Sequence, residues 1–340
     1  MKNHPPARGA VAATCFWLRR FRPAAILRVK PSGRGALAAA GLLMAAGAFA
    51  EGAFPMAITD GFGRRVVIAQ RPERIVSLAP SLTETVFAVG NGARLAGVTR
   101  FCNFPAEAEA LPKVGGFAAR TISIEAIVAL RPDIVLAGDE GQRPVVEALE
   151  RLGIPVVAAR VTDFETLFAS IRLQGRLAGR ETETDALIAG LRARVEAVAR
   201  RAAEIPEEKR VRVYWEAFDE PLMSAGPRSL IGRQIALAGG VNIFGEAREP
   251  YPHVSGEAVV ARNPQIIMNS RILPARMSLT AGRLARRPGW AGIDAVREGR
   301  VFTLPDELVT RAGPRLVDGL ELMARTIYPG WFDAGTEAQR

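Results

Sequence analysis

Histidine is almost missing from this chain: 2 occur among 340 residues, and only His253 lies beyond the first fifty. Triads with a histidine base and metal sites built from several imidazoles are therefore scarcely available. Cysteine is equally sparse. Cys15 falls near the N-terminus, and Cys102 has no intrachain partner beyond it, so there is no disulfide framework. Neither a P-loop nor a nucleophile elbow is present. Gly90-Asn91-Gly92 begins like a dinucleotide fingerprint but follows a helical pattern rather than a strand, and reads as a helix end and turn. An α/β enzyme would need a catalytic constellation that these residues do not supply. No catalytic residue, metal ligand set or cofactor is expected.

Acidic residues are absent from positions 1–50, which hold Lys2, Arg8, Arg19, Arg20, Arg22, Arg28, Lys30 and Arg34. An apolar run from Gly35 to Ala50 ends in Ala48-Phe49-Ala50. Basic flank, short apolar core and small-residue ending are the layout of a secretory signal peptide. At about sixteen residues the run is short for a membrane span, which needs roughly twenty. No cysteine stands directly after it, which argues against a lipid anchor. The whole chain has 45 basic and 35 acidic residues, a net of +10. Eight of the basic residues lie in the expected signal segment, 1–50, leaving only about +2 on the rest, and nucleic-acid binding loses its electrostatic footprint.

Beyond residue 50, short apolar runs alternate with helical patterns, which predicts βαβ units and parallel sheets. Strands are expected at Arg74–Leu78, Leu95–Thr99, Ile134–Ala137, Val156–Ala159, Val211–Trp215, Ile266–Asn269 and Val301–Leu304. Helices are expected at Ser123–Leu130, Val145–Leu152 and Ser229–Ala238, and one begins at Pro80 with Ser81 and Glu84 at capping-box spacing. Residues 122–136, ISIEAIVALRPDIVL, match 254–268, VSGEAVVARNPQIIM, in register: Ser123 with Ser255, Glu125 with Glu257, Pro132 with Pro264. The chain reads as two related α/β lobes. Asp163–Ala203 is one long helical pattern between them, with an apolar stripe from Leu167 to Val198 and possible breaks at Gly175 and Gly179. Arg276–Arg287 is polar and irregular. The expected domains are a signal peptide at 1–50, an N-terminal lobe at 51–161, a connecting helix at 162–205, a C-terminal lobe at 206–332 and a tail at 333–340.

In open α/β sheets, ligands settle beyond the carboxyl ends of the strands. Residues just past the expected strand ends are Arg100, Phe101, Phe117 and Arg120 in the first lobe, and Trp215, Tyr251, Arg271 and Arg311 in the second. Aromatic faces beside guanidinium groups suit a large, flat or anionic ligand. Phe101, Phe117 and Trp215 could equally pack in cores. Glu125 and Glu257 each stand near the first turn of a short helix, where the helix dipole alone accounts for a carboxylate. Equivalent carboxylates on two equivalent lobes would also match a two-fold partner.

At these residues the chain resembles the cobalamin and ferric-siderophore binding family of periplasmic proteins, and most closely its cobalamin-binding branch. The resemblance rests on RIVSLAPSLTETVFAVG, GVTRFCNFPAEA, SIEAIVALRPDIVLA, LAGGVNIFGEA and YPHVSGEAVVARNPQIIM, followed by RAGPRLVDGL. It implies a class III periplasmic binding protein: two Rossmann-like lobes with parallel-rich sheets, joined by a long backbone helix, ligand between them and little closure. It implies docking of Glu125 and Glu257 on the two permease subunits of an ABC importer with its ATPase. It sets Phe101 and Tyr251 against a corrin, with Phe117 in place of a third aromatic. Phe101 lacks a phenolic hydroxyl, and Arg100, Arg120, Arg271 and Arg311 would also suit an anionic ferric siderophore or haem. The expected protein is a periplasmic monomer carrying a small metal chelate. A periplasmic sensor or adaptor without a transport role is the other class that this scaffold serves.

Overall fold

The computed structural model describes residues 54–270 and 279–332. The expected signal at 1–50, the tail at 333–340 and Arg271 lie outside the described residues. A hairpin of β1 (Met56–Thr59) and β2 (Arg65–Ile68) leads in, paired antiparallel. The first sheet follows, built from β3 (Ile75–Ser77), β4 (Leu95–Val98), β5 (Ile134–Ala137) and β6 (Val156–Ala158). Its strand order is β4-β3-β5-β6 and every pairing is parallel. β3, β5 and β6 are buried along their whole length, as a sheet covered on both faces requires.

The second sheet contains β7 (Arg212–Asp219), β8 (Leu222–Ser224), β9 (Val241–Asn242), β10 (Ile266–Ser270) and β11 (Val301–Leu304). β9, β10 and β11 run parallel in the order β9-β7-β10-β11, and β8 adds antiparallel to the far part of β7. The two orders superimpose: β3 corresponds to β7, β4 to β9, β5 to β10 and β6 to β11. The sequence repeat thus reappears as topology. It reappears in the caps as well, on α2 (Ile124–Ala129) and α7 (Gly256–Arg262). Ser123 Oγ accepts the Ala126 N–H at 3.1 Å, and Ser255 Oγ accepts the Ala258 N–H at 3.1 Å.

One expectation is corrected, and one of the two expected breaks in the connector is found. The helix after β3, α1 (Pro80–Ala88), has no capping box: Ala79 is its N-cap, Pro80 occupies the first turn, and Glu84 turns inward to a distant arginine. The connector is two helices, α4 (Phe164–Ala178) and α5 (Glu181–Ala203), which follow α3 (Arg143–Arg151) and β6 in the chain. α4 opens on a capping box between Asp163 and Thr166 and ends where Gly179 turns left-handed at φ 63°. α5 is the long element, 23 residues or about 35 Å. Their shared stripe, including Leu167, Ile171, Leu191, Val195 and Val198, joins one core with β7, β10 and the C-terminal helix α11 (Leu316–Ile327), which follows α6 (Leu230–Leu237), α8 (Ala281–Leu284), α9 (Asp294–Arg297) and α10 (Asp306–Val309). Arg194 on α5 adds bonds of 2.6 Å to Asp318 and 2.8 Å to Glu321 on α11.

Gly175 does not break α4; it lets α5 approach. A Cβ there would fall 2.2 Å from Thr184 Oγ1, itself buried. Gly175→Val should therefore destabilise by about 1–3 kcal/mol through overpacking. Gly190→Ala on the exposed face of α5, where a Cβ meets nothing, should stabilise by about 0.5–1 kcal/mol. Urea unfolding of both variants checks the pair, and equal effects would remove the close-approach role.

Candidate ligand cleft

The carboxyl ends of the first sheet converge on a cleft of about 770 Å³. Ala79 after β3, Gly138 after β5 and Arg160 after β6 line it, together with the start of α1. The opposite wall comes from the second lobe: the start of α6, Pro250-Tyr251, and the Asp306–Ala312 segment after β11. β3 and β5 flank the point where the first sheet's strand order reverses, which is where open α/β sheets leave a crevice.

Three expected aromatics meet in this cleft. Phe101, Phe117 and Tyr251 all line it and are 48%, 40% and 44% exposed. Large apolar rings left this open in one concave surface are unspent binding area. The Phe117 loop is held from behind by Gln142, which is fully buried. Its Nε2 donates to the carbonyls of Leu78 at 2.9 Å and Phe117 at 3.0 Å, while its Oε1 accepts the Gly138 N–H at 2.8 Å. One amide thus ties the ends of β3 and β5 to the aromatic loop. The sequence carries no signal for this, because a lone Gln outside any motif normally reads as surface.

The expected arginines fare differently. Arg100 does not line the cleft. Its guanidinium stands over the Phe101 ring, 5.5 Å from the ring centre, and close to Gly116. Arg120 is the exposed middle residue of a short turn, Ala119–Thr121, and is not part of the lining. Trp215 is corrected to the core: β7 continues to Asp219, so Trp215 is mid-strand, 2% exposed, and packs toward α5 and α6. Arg311 reaches the cleft but not freely. It donates to Asn103 Oδ1 at 2.7 Å and lies 3.4 Å from Glu84 Oε1. Behind it Arg315 grips Glu84 with both guanidinium arms, at 2.9 and 2.7 Å. That carboxylate holds the Arg315 pKa above its usual range.

The lining also contains charges that the strand-end reading passed over: Asp139, Arg160, Arg228, Asp306 and Glu307. Arg160 stands two residues past β6, and the same rule applied to that strand would have found it. With Arg311, three arginines face three carboxylates, so the cleft is close to balanced rather than strongly cationic. Among the described residues, no group of three or more His, Cys, Asp or Glu could hold a metal ion.

Away from the cleft, Glu125 and Glu257 stand exposed on the first turns of α2 and α7. Each carboxyl is held below its ordinary range, first by its own backbone N–H and then by the hydroxyl of Ser123 or Ser255. Both are therefore ionised at neutral pH.

Two like lobes facing one another across a groove walled by open aromatic rings define a solute-capturing protein. The chain belongs to the periplasmic binding protein family, whose pattern matches residues 75–308. It is similar to the ABC transporter substrate-binding lipoprotein YvrC of Bacillus subtilis, 29% identical over 284 residues that span 82% of this chain and 87% of that protein. The fold matches the crystal structure of the periplasmic vitamin B12 binding protein BtuF of Vibrio cholerae, with 26% identity, a TM-score of 0.65, and 76% of this chain and 97% of that one covered. It also matches a periplasmic haem binding protein from Pseudomonas aeruginosa, with 31% identity, a TM-score of 0.66, and coverage of 76% and 94%.

Proposed function

We propose that this protein captures a planar metal chelate, a cobalamin-type corrinoid, outside the inner membrane and delivers it to the permease dimer of an ABC importer. The observation that carries this reading is the set of three open aromatic rings, Phe101, Phe117 and Tyr251, contributed by both lobes to one cleft. Rings of this kind stack on a macrocycle face and bury its apolar area. The balanced charge of the lining fits a ligand rimmed by neutral amides better than a polyanionic catecholate. The vitamin B12 binding relative agrees with it. Haem is the second reading, favoured by the 31% identical haem-binding relative and by the Tyr251 phenol in the cleft.

Calorimetric titration of residues 51–340 with cyanocobalamin, haemin, and ferric hydroxamate and catecholate siderophores tests the cargo. Submicromolar one-to-one binding of cyanocobalamin is the expected result, and tight binding of haemin with none of cyanocobalamin would replace it by the second reading. For delivery, the two ionised carboxylates on repeated helices are the docking points for a two-fold permease. Glu125→Ala plus Glu257→Ala should leave ligand affinity within about twofold, because surface substitutions of this kind perturb the fold little. Uptake into vesicles carrying the permease and ATPase should fall at least about tenfold, the scale of losing a charged pair at each contact. Loss of ligand binding in the double variant would make the carboxylates structural.

A further inference from the structure

Six charged side chains line the cleft, and three of them are already engaged within the fold. Asp139 accepts the Gly141 N–H at 2.9 Å. Asp306 accepts hydroxyls from Ser270 at 3.0 Å and Thr310 at 2.9 Å. Arg311 is bound to Asn103 and Glu84. Arg160, Arg228 and Glu307 have no hydrogen bond or ion pair among the described residues. Two of these free groups are guanidiniums, one from each lobe. Arg160 follows β6, and Arg228 immediately precedes Ser229, the N-cap of α6.

A second feature adds positive potential to the same cleft. The nine-residue helix α1 has Ala79 as N-cap with no side-chain hydrogen bond, and its first residues, Pro80 to Leu82, line the cleft. The first turn of α1 thus borders the groove without a side-chain capping oxygen, and a helix N-terminus in that state attracts an anion. Surface arginines normally find a carboxylate or lie extended in solvent. Two left unpaired on opposite walls of one groove, beside an uncapped helix start, form an acceptor for negative charge.

We propose that Arg160 and Arg228 form a two-sided clamp for an oxyanion on the rim of the bound ligand, a phosphodiester or a carboxylate. The aromatic rings hold the flat body, and the clamp fixes its rotation in the cleft. Because one arginine comes from each lobe, the anion also bridges the lobes. This rests on the planar-chelate reading above and adds the chemical group by which the cleft orients its ligand. Glu307, the remaining free carboxylate, is left to accept an amide N–H.

The test is calorimetry on residues 51–340 of the parent protein, Arg160→Gln, Arg228→Gln and the double variant, with two ligand pairs. Cyanocobalamin and cobinamide differ by the nucleotide with its phosphodiester; haemin and its dimethyl ester differ by the free carboxylates. Each single variant should weaken binding of the oxyanion-bearing member about tenfold and the double about a hundredfold, the range for charged hydrogen bonds. The partner lacking the oxyanion should bind each variant as it binds the parent protein. Lysine at both positions should recover part of the loss, and parent affinity for the charged member should fall as NaCl rises from about 0.05 to about 0.5 M. The pair that shows the difference identifies phosphodiester or carboxylate as the source. Equal losses for both members of each pair, or no loss in the double variant, would overturn the clamp while leaving the planar-chelate reading intact. Failure of the parent protein to bind any of the four compounds would overturn both.

Discussion

Replacing Glu84 by Ala should lower the thermal midpoint by about 10 °C, the largest effect on stability expected from any single change outside the main cores. Glu84 is 4% exposed, on α1 of the first lobe, and it neutralises two arginines of the second. Arg315 binds it in a two-armed fork and lies 3.9 Å over the Phe104 ring, while Arg311 adds a longer contact. Gly313, between them, lies so close that a Cβ would stand 3.1 Å from the Ser81 carbonyl. Removing the carboxylate leaves two guanidiniums part-buried and uncompensated, which typically costs about 3–5 kcal/mol. Arg315→Lys should recover little, because an ammonium cannot make the fork or lie flat on the ring. Differential scanning calorimetry checks both variants. A midpoint shift under about 2 °C for Glu84→Ala would mean that solvent already screens the cluster.

The same cluster bears on movement. It ties the middle of α1 to the segment entering α11, and α4 and α5 share one core with the second lobe. A cleft closed by hinge motion would need to break these contacts, so Glu84→Ala should also loosen the lobes. The lining then depends on that cluster, since Arg311 and Ser81 belong to both.

The second large effect concerns the ligand. Phe101→Ala, Phe117→Ala and Tyr251→Ala should each weaken binding of cyanocobalamin about tenfold to a hundredfold. The combined variant should bring it to the limit of calorimetric detection. Each ring supplies roughly 1.5–3 kcal/mol of apolar burial once ligand covers it, with stacking in addition. Because the rings are 40–48% exposed, their removal should shift the thermal midpoint little. The combination of lost affinity and kept stability marks a binding surface. Lost stability with kept affinity would return these rings to the role of packing.

Much of the architecture was legible from local pattern. The seven expected strands all fall within a few residues of their runs, because a strand covered on both faces is a short apolar stretch and little else, whereas the short β8 and β9 carried no such run. Ser123 and Ser255 act as N-caps as their spacing required, since a cap is decided within three residues. The Ser81–Glu84 pair has the same spacing, yet Ala79 is the cap there. Pro80 shifts the helix start by two residues, and Glu84 gains more from two arginines across the cleft than from a backbone N–H. Trp215 was misplaced because an apolar run does not reveal where its strand stops: β7 continues to Asp219 with Glu216 buried against Arg287.

By itself, the sequence determined the two-lobed α/β plan, the repeat that relates the lobes, and the pair of glycines at one of which the connector breaks. Each follows from periodicity, caps or turns that operate over a few residues. Only the tertiary structure decided which charges are free. Arg311 and Arg315 meet Glu84 across 227 and 231 positions of chain, and Arg100 lies over its neighbour's ring. Arg160 and Arg228 have no hydrogen bond or ion pair among the described residues. Ion pairing depends on distances that no local pattern encodes, so the electrostatic character of the cleft emerges only when the two lobes come together.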